Sequence, residues 1–106
     1  MTTITGGTTA SMDSFDMTLG RGAIWRYVID GSSGTNMRVG IIQAVWDQVS
    51  DGGIEYIPDE HSDDIGDTSA VSFAVDKSGT TVRLRATSTG GTFNFYGVRS
   101  MIGVFY

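Results

Sequence analysis

The stretch Thr81-Val82-Arg83-Leu84-Arg85-Ala86-Thr87-Ser88 decides the fold. Val82, Leu84 and Ala86 alternate with Arg83, Arg85 and Thr87. Successive side chains of a β-strand point to opposite faces, so the run turns an apolar face inward and a charged one outward. Working outward, Val71, Phe73 and Val75 alternate in the same way with Ser72, Ala74 and Asp76. Asp76-Lys77-Ser78-Gly79 supplies a turn with a glycine for positive φ, and Thr89-Gly90-Gly91 supplies another. Strands over residues 71–76, 81–88 and 92–99 are therefore expected as a meander of two hairpins.

Upstream, Ala23, Trp25, Tyr27 and Ile29 share one face of a strand, and Ile24, Arg26, Val28 and Asp30 the other. The large aromatics are expected on its wetter or interfacial side. Asp30-Gly31-Ser32-Ser33-Gly34 turns the chain into the next strand, and Gly52-Gly53 reverses it again before a strand over residues 54–57 that should stop at Pro58. Ile41, Ile42, Val45, Trp46 and Val49 also fit a helical stripe. The density of β-branched residues over 39–47 and the flanking glycines decide for a strand, buried on both faces as it runs centrally between sheets. The whole reads as an all-β chain: a compact antiparallel β-sandwich, jelly-roll-like, of about 6–8 short strands with no long helix.

Composition agrees. Glycine, threonine and serine supply 39 of 106 residues, leucine only two and glutamate two, so the straight-chain helix formers are scarce. One domain is expected over residues 11–106, preceded by a flexible Thr- and Gly-rich arm at 1–10, or an edge strand lent to a neighbour. The absence of cysteine excludes disulfide frameworks, zinc ribbons and thiol catalysis. A net charge of -5 argues against nucleic acid and anionic membranes as partners, because phosphate binding needs clustered cations. No apolar run approaches a membrane span, and the polar start at residues 1–10 lacks a signal-peptide pattern, so a mature soluble chain is expected.

Little chemistry can be nominated. The lone histidine, His61, lies in Asp59-Glu60-His61-Ser62-Asp63-Asp64-Ile65-Gly66-Asp67. A hard cation such as calcium takes oxygen ligands from a flexible loop, which makes Asp59, Asp63, Asp64 and Asp67 its candidate ligands. Their spacing lacks the alternation of a calcium loop, so a solvated acidic loop is preferred and no cofactor or metal is expected. No Gly-x-Ser-x-Gly element, phosphate loop or dinucleotide fingerprint is present, and no general acid or base can be named, so the chain reads as a non-enzyme. The aromatics are expected mainly in core and subunit packing. Arg83 and Arg85, with Arg99 on a neighbouring strand, form a cationic patch, read either as ordinary solvent-exposed charge or as an ion-pair seam against the acidic loop of a second copy. Residues 98–106 are apolar to the end, so Val104, Phe105 and Tyr106 should be buried in the core or against another subunit. Trp25, Tyr27, Arg83, Arg85, Val104, Phe105 and Tyr106 are thus the interface candidates.

The succession Ala23-Ile24-Trp25-Arg26-Tyr27-Val28-Ile29, Gly34-Thr35-Asn36-Met37-Arg38-Val39-Gly40 and Ala44-Val45-Trp46-Asp47 resembles a small β module of tailed-bacteriophage virion structural proteins. The likeness continues through Asp64-Ile65-Gly66-Asp67-Thr68-Ser69, Val71-Ser72-Phe73-Ala74-Val75-Asp76 and Thr81-Val82-Arg83-Leu84-Arg85-Ala86-Thr87, and covers roughly residues 11 to 102. It is one of pattern, with no catalytic motif. The resemblance implies a piece of tail fibre, neck appendage or head surface. With a Thr-rich arm and the apolar tail 103–106, it implies a small oligomer, a trimer or ring, that decorates or cements a virion lattice and is assembled in the host cytoplasm with other virion structural proteins. The alternative is a lectin-like receptor-binding sandwich that recognises host surface glycan through tryptophan and tyrosine side chains, with or without calcium at the acidic loop.

Overall fold

The computed structural model describes residues 1–31 and 34–104. The eight strands among these residues are β1 (Thr2–Ile4), β2 (Thr8–Asp16), β3 (Gly22–Gly31), β4 (Met37–Trp46), β5 (Ile54–His61), β6 (Val71–Ser78), β7 (Thr81–Ser88) and β8 (Phe93–Ile102). The only helical element among the described residues is a 3-10 turn over Met17–Leu19, with Asp16 accepting from the Thr18 amide at its start. All pairings are antiparallel. One sheet has the order β1-β8-β3-β4-β5 and the other β2-β7-β6, so the expected antiparallel sandwich is what forms. No helix among the described residues is long and apolar enough to cross a membrane.

The alternation of β7 sets the small sheet. Val82, Leu84 and Ala86 are fully buried, and Arg83, Arg85 and Thr87 stand on the opposite face. On the large sheet β3 is central, and its inner face carries Ala23, Trp25, Tyr27 and Ile29, none more than 2% exposed. The expected facing of that strand is therefore reversed: the aromatics fill the space between the sheets, and Ile24, Arg26 and Val28 face out. Polar ends of the aromatics find partners inside, which makes the burial affordable. Trp25 Nε1 donates to Asp13 at 2.9 Å and the Tyr27 hydroxyl to Asp59 at 2.6 Å. Phe15, Trp46, Phe73 and Phe95 pack around them with ring centroids 4.7 to 6.2 Å apart. Tyr27 also dictates a glycine. A Cβ at Gly40 would sit 2.5 Å from its hydroxyl and 2.6 Å from its ring.

Four other expectations are corrected. The N-terminal residues expected as an arm are β1, paired to β8 of the same chain, and the start of β2; Ile4 is 1% exposed and belongs to the core. The second hairpin does not form. Both edges of β7 are taken, by β2 and β6, so the chain after Ser88 crosses to the large sheet and β8 pairs with β1 and β3. Gly91 makes that crossing at φ +78, and the Ser88 hydroxyl donates to the carbonyls of Gly90 and Gly91. β5 continues through Pro58, because an edge strand loses no ladder bond to a missing N–H, and its register against β4 shifts there, between Ile41 and Gln43. Finally, β4 is covered on one face only. Arg38, Gly40, Ile42 and Trp46 are buried, whereas Val39, Ile41 and Val45 are exposed on the other face.

Leu84 is 0% exposed at the middle of the inner face. Leu84→Ala is expected to cost about 2–5 kcal/mol, the range for a leucine deleted from a packed core. Urea unfolding followed by tryptophan fluorescence measures it.

Candidate interaction face

The two outer faces of the sandwich differ in chemistry. On the small sheet, β7 sets Arg83, Arg85 and Thr87 between Asp76, Ala74 and Ser72 on β6 and Ser14, Ser11 and Thr9 on β2. Arg83 forms a bidentate pair with Asp76, both bonds 2.7 Å, and Thr9 shares a hydrogen bond with Thr87. This is an ordinary solvated surface.

The large sheet presents the opposite. In successive rows from β8 through β3 to β4 stand Tyr96, Val28 and Val39; then Val98, Arg26 and Ile41; then Ser100, Ile24 and Gln43; then Ile102, Gly22 and Val45. β5 adds Glu60 beside Ile41, Ile57 beside Gln43 and Glu55 beside Val45. Val39, Val45, Val98 and Ile102 are each more than half exposed, and Ile41, Ile57 and Tyr96 more than 40%. Single exposed hydrophobics are normal on a globular domain, but an apolar face spread across four strands is a candidate interaction surface. Arg26 is the cation within it, bonded at 3.2 Å to Ser100 Oγ, and Glu55 and Glu60 stand along the β5 margin.

The interface candidates named from the sequence lie elsewhere. Trp25 and Tyr27 are in the core. Arg83 is paired to Asp76 of its own chain, and Arg99 to Asp13 at 2.9 Å while it lies 4.5 Å over the Phe15 ring, so the cations are committed within one molecule. Arg85 lies on the polar face of the small sheet. Val104 is exposed, and Phe105 and Tyr106 fall outside the described residues. The sequence hides the apolar face, because Ile24 and Val28 read as the buried side of β3. The signal that finds it is Arg26, a charge of the same parity as those two residues.

The acidic segment does not gather its carboxylates, and no group of metal-binding side chains forms among the described residues. Asp59 turns inward, where it holds the Tyr27 hydroxyl and Arg38, which is 3.3 Å away. Asp64 accepts from the Thr68 amide and Asp67 from the amide and hydroxyl of Ser69, and these bonds hold both carboxyls below their ordinary range. His61 is exposed, with Nδ1 2.7 Å from the Ser62 carbonyl. An open hollow of about 360 Å³ lies beside Asp13, Trp25 and Arg99, but the Asp13 carboxylate is already occupied by the two others.

Compared with known proteins, the chain matches no family model, no curated protein and no solved structure.

The Asp59–Arg38–Tyr27 cluster stands behind the face and ties β3, β4 and β5 together. Arg38 is only 5% exposed, also reaches the Val71 carbonyl, and lies 5.9 Å over the rings of Tyr27 and Phe73. Asp59→Ala is expected to cost about 3–5 kcal/mol, because it leaves a buried cation without its counter-ion. Burial and the bond to Asp59 push the Tyr27 hydroxyl well above its ordinary range. Its stabilising effect is complete below about pH 10 and is lost in stronger alkali. At the acid end the lowered carboxyls of Asp16, Asp47, Asp64 and Asp67 act with the opposite sign. Stability should be flat from neutrality to about pH 5 and fall as pH drops below about 4, as these groups protonate. Urea midpoints against pH test both limbs.

Proposed function

We propose that the chain is a non-enzymatic, cohesive structural protein whose working surface is the outer face of the large sheet, and that the assembly it serves is the virion of a tailed bacteriophage. The observation that carries the cohesive reading is the apolar face spread over β8, β3, β4 and β5, set against a polar counterpart on the small sheet. The likeness of residues 11 to 102 to virion modules supports the choice of assembly. Under this reading the face is covered by a neighbouring subunit, as the inner faces of a sandwich cover each other.

The glycan-binding alternative loses its tryptophan platform, since Trp25 and Trp46 are buried, and three of its four calcium candidates, Asp59, Asp64 and Asp67, are turned to other partners; Tyr56 and Tyr96 remain exposed.

The test is the solution mass of the chain by light scattering over a wide concentration range. A discrete assembly is expected, whatever its order. Ile41→Glu and Val39→Glu, each placing a carboxylate in the face, should shift it to monomer, with the circular dichroism spectrum of the wild-type fold retained because both sites are solvent-exposed in the single chain. A chain that is monomeric at every concentration, or an assembly indifferent to both substitutions, overturns the reading.

A further inference from the structure

We infer that the occupant of this face is a second copy of the chain, seated by a two-fold axis that runs along β4. The inference rests on the cohesive reading above and adds the partner and its orientation.

Charge fixes the orientation. In the row through Ile41, Arg26 lies one strand to one side on β3 and Glu60 one strand to the other on β5. When two identical faces meet about an axis in their common plane, each column of side chains meets its reflection across the axis. An axis along β3 sets Arg26 against Arg26, which like charges oppose. An axis along β4 sets Arg26 of each copy against Glu60 of the other, two charge pairs from one operation, and leaves the remaining Arg26 donors free to take a carboxylate bidentately.

The apolar residues follow the same reflection. Ile41 meets Ile41 on the axis, and Val39 and Val45 meet their own counterparts. Ile24 meets Ile57, since both flank Gln43. Tyr96 and Val98, on β8, overhang the outer edge of the partner's β5 and form the rim.

The size is modest. At about 4.8 Å between strands and about 3.4 Å per residue, the three strands that this axis opposes, β3, β4 and β5, project roughly 400 Å² over rows 22 to 30. The accessible area of a face with standing side chains exceeds its projection, which places the contact at the small end of specific interfaces, below the roughly 800 Å² that each partner of a standard complex buries. Two sheets packed face to face stand about 10 Å apart, the separation these branched side chains fill inside the sandwich itself.

Charge exchange tests it, read by sedimentation velocity, with near-ultraviolet circular dichroism confirming that each variant is folded. The wild-type chain is expected to be a dimer. Arg26→Glu and Glu60→Arg should each weaken dimerisation about a hundredfold or more, and the double exchange Arg26→Glu with Glu60→Arg should restore it to within about tenfold of wild type. An assembly lost in Ile41→Glu but not restored by the double exchange overturns the axis along β4 and leaves the cohesive reading standing. A chain monomeric at all concentrations overturns both.

Discussion

The parity of β3 is the constraint on which the rest depends. A strand has two faces, and a register slip of one residue exchanges them. With Trp25 and Tyr27 turned inward, the space between the sheets is filled by aromatic rings, Gly40 becomes obligatory where Tyr27 crosses β4, and Asp13 and Asp59 are drawn in to meet the indole and phenol. The same choice turns Ile24, Arg26 and Val28 to the outside. The core and the exposed face are two sides of one decision, and neither can be altered by shifting β3 without inverting the other.

Polar groups hold that decision in place. Asp59 comes from the edge strand, Arg38 from its neighbour and Tyr27 from the central strand, so one buried contact fixes three strands at a single level of the sheet. At the far side Asp13 sits beside a bulge in β2 and receives both Trp25 and Arg99, linking the small sheet to two strands of the large one. Lys77 reaches from β6 to the carbonyls of Asp47 and Val49 and to the Asp47 carboxylate, which pins the β4–β5 turn. Hydrophobic burial supplies most of the driving force and is non-directional, whereas these contacts admit one arrangement.

The period-two pattern made most strands legible, and β7 could be read without ambiguity because its charges fall on one face. β3 was harder, since both of its faces carry apolar residues and the aromatic set can be assigned to either side. A carboxylate and an arginine distant in sequence settle it, and their meeting is a product of the fold. The crossing after Ser88 was invisible for a different reason: a glycine-rich turn looks the same whether the chain returns to its own sheet or passes to the other. Arg38 shares the inward parity of Ile42 and so disguised the amphipathic pattern of β4. The interaction face was legible only in part, for β4 could be seen to be apolar on both sides, but a covering sheet within the chain exists on one side alone.

That mismatch bears on the kind of assembly such a protein makes. Open sheet edges are the usual route to unlimited association, and here they are blunted. β1 is only three residues long, β5 carries Pro58 and two glutamates, β2 is interrupted by its bulge, and β6, the remaining edge, lies against β5. What remains adhesive is a face, and a face made of one patch can bind its own copy about a two-fold axis and close. Association through edges adds strands without end, whereas association through this face consumes the patch that drives it. On the proposed reading, a chain with blunted edges and one apolar sheet face is built for finite assembly, and further growth would have to come from a different surface or a different protein.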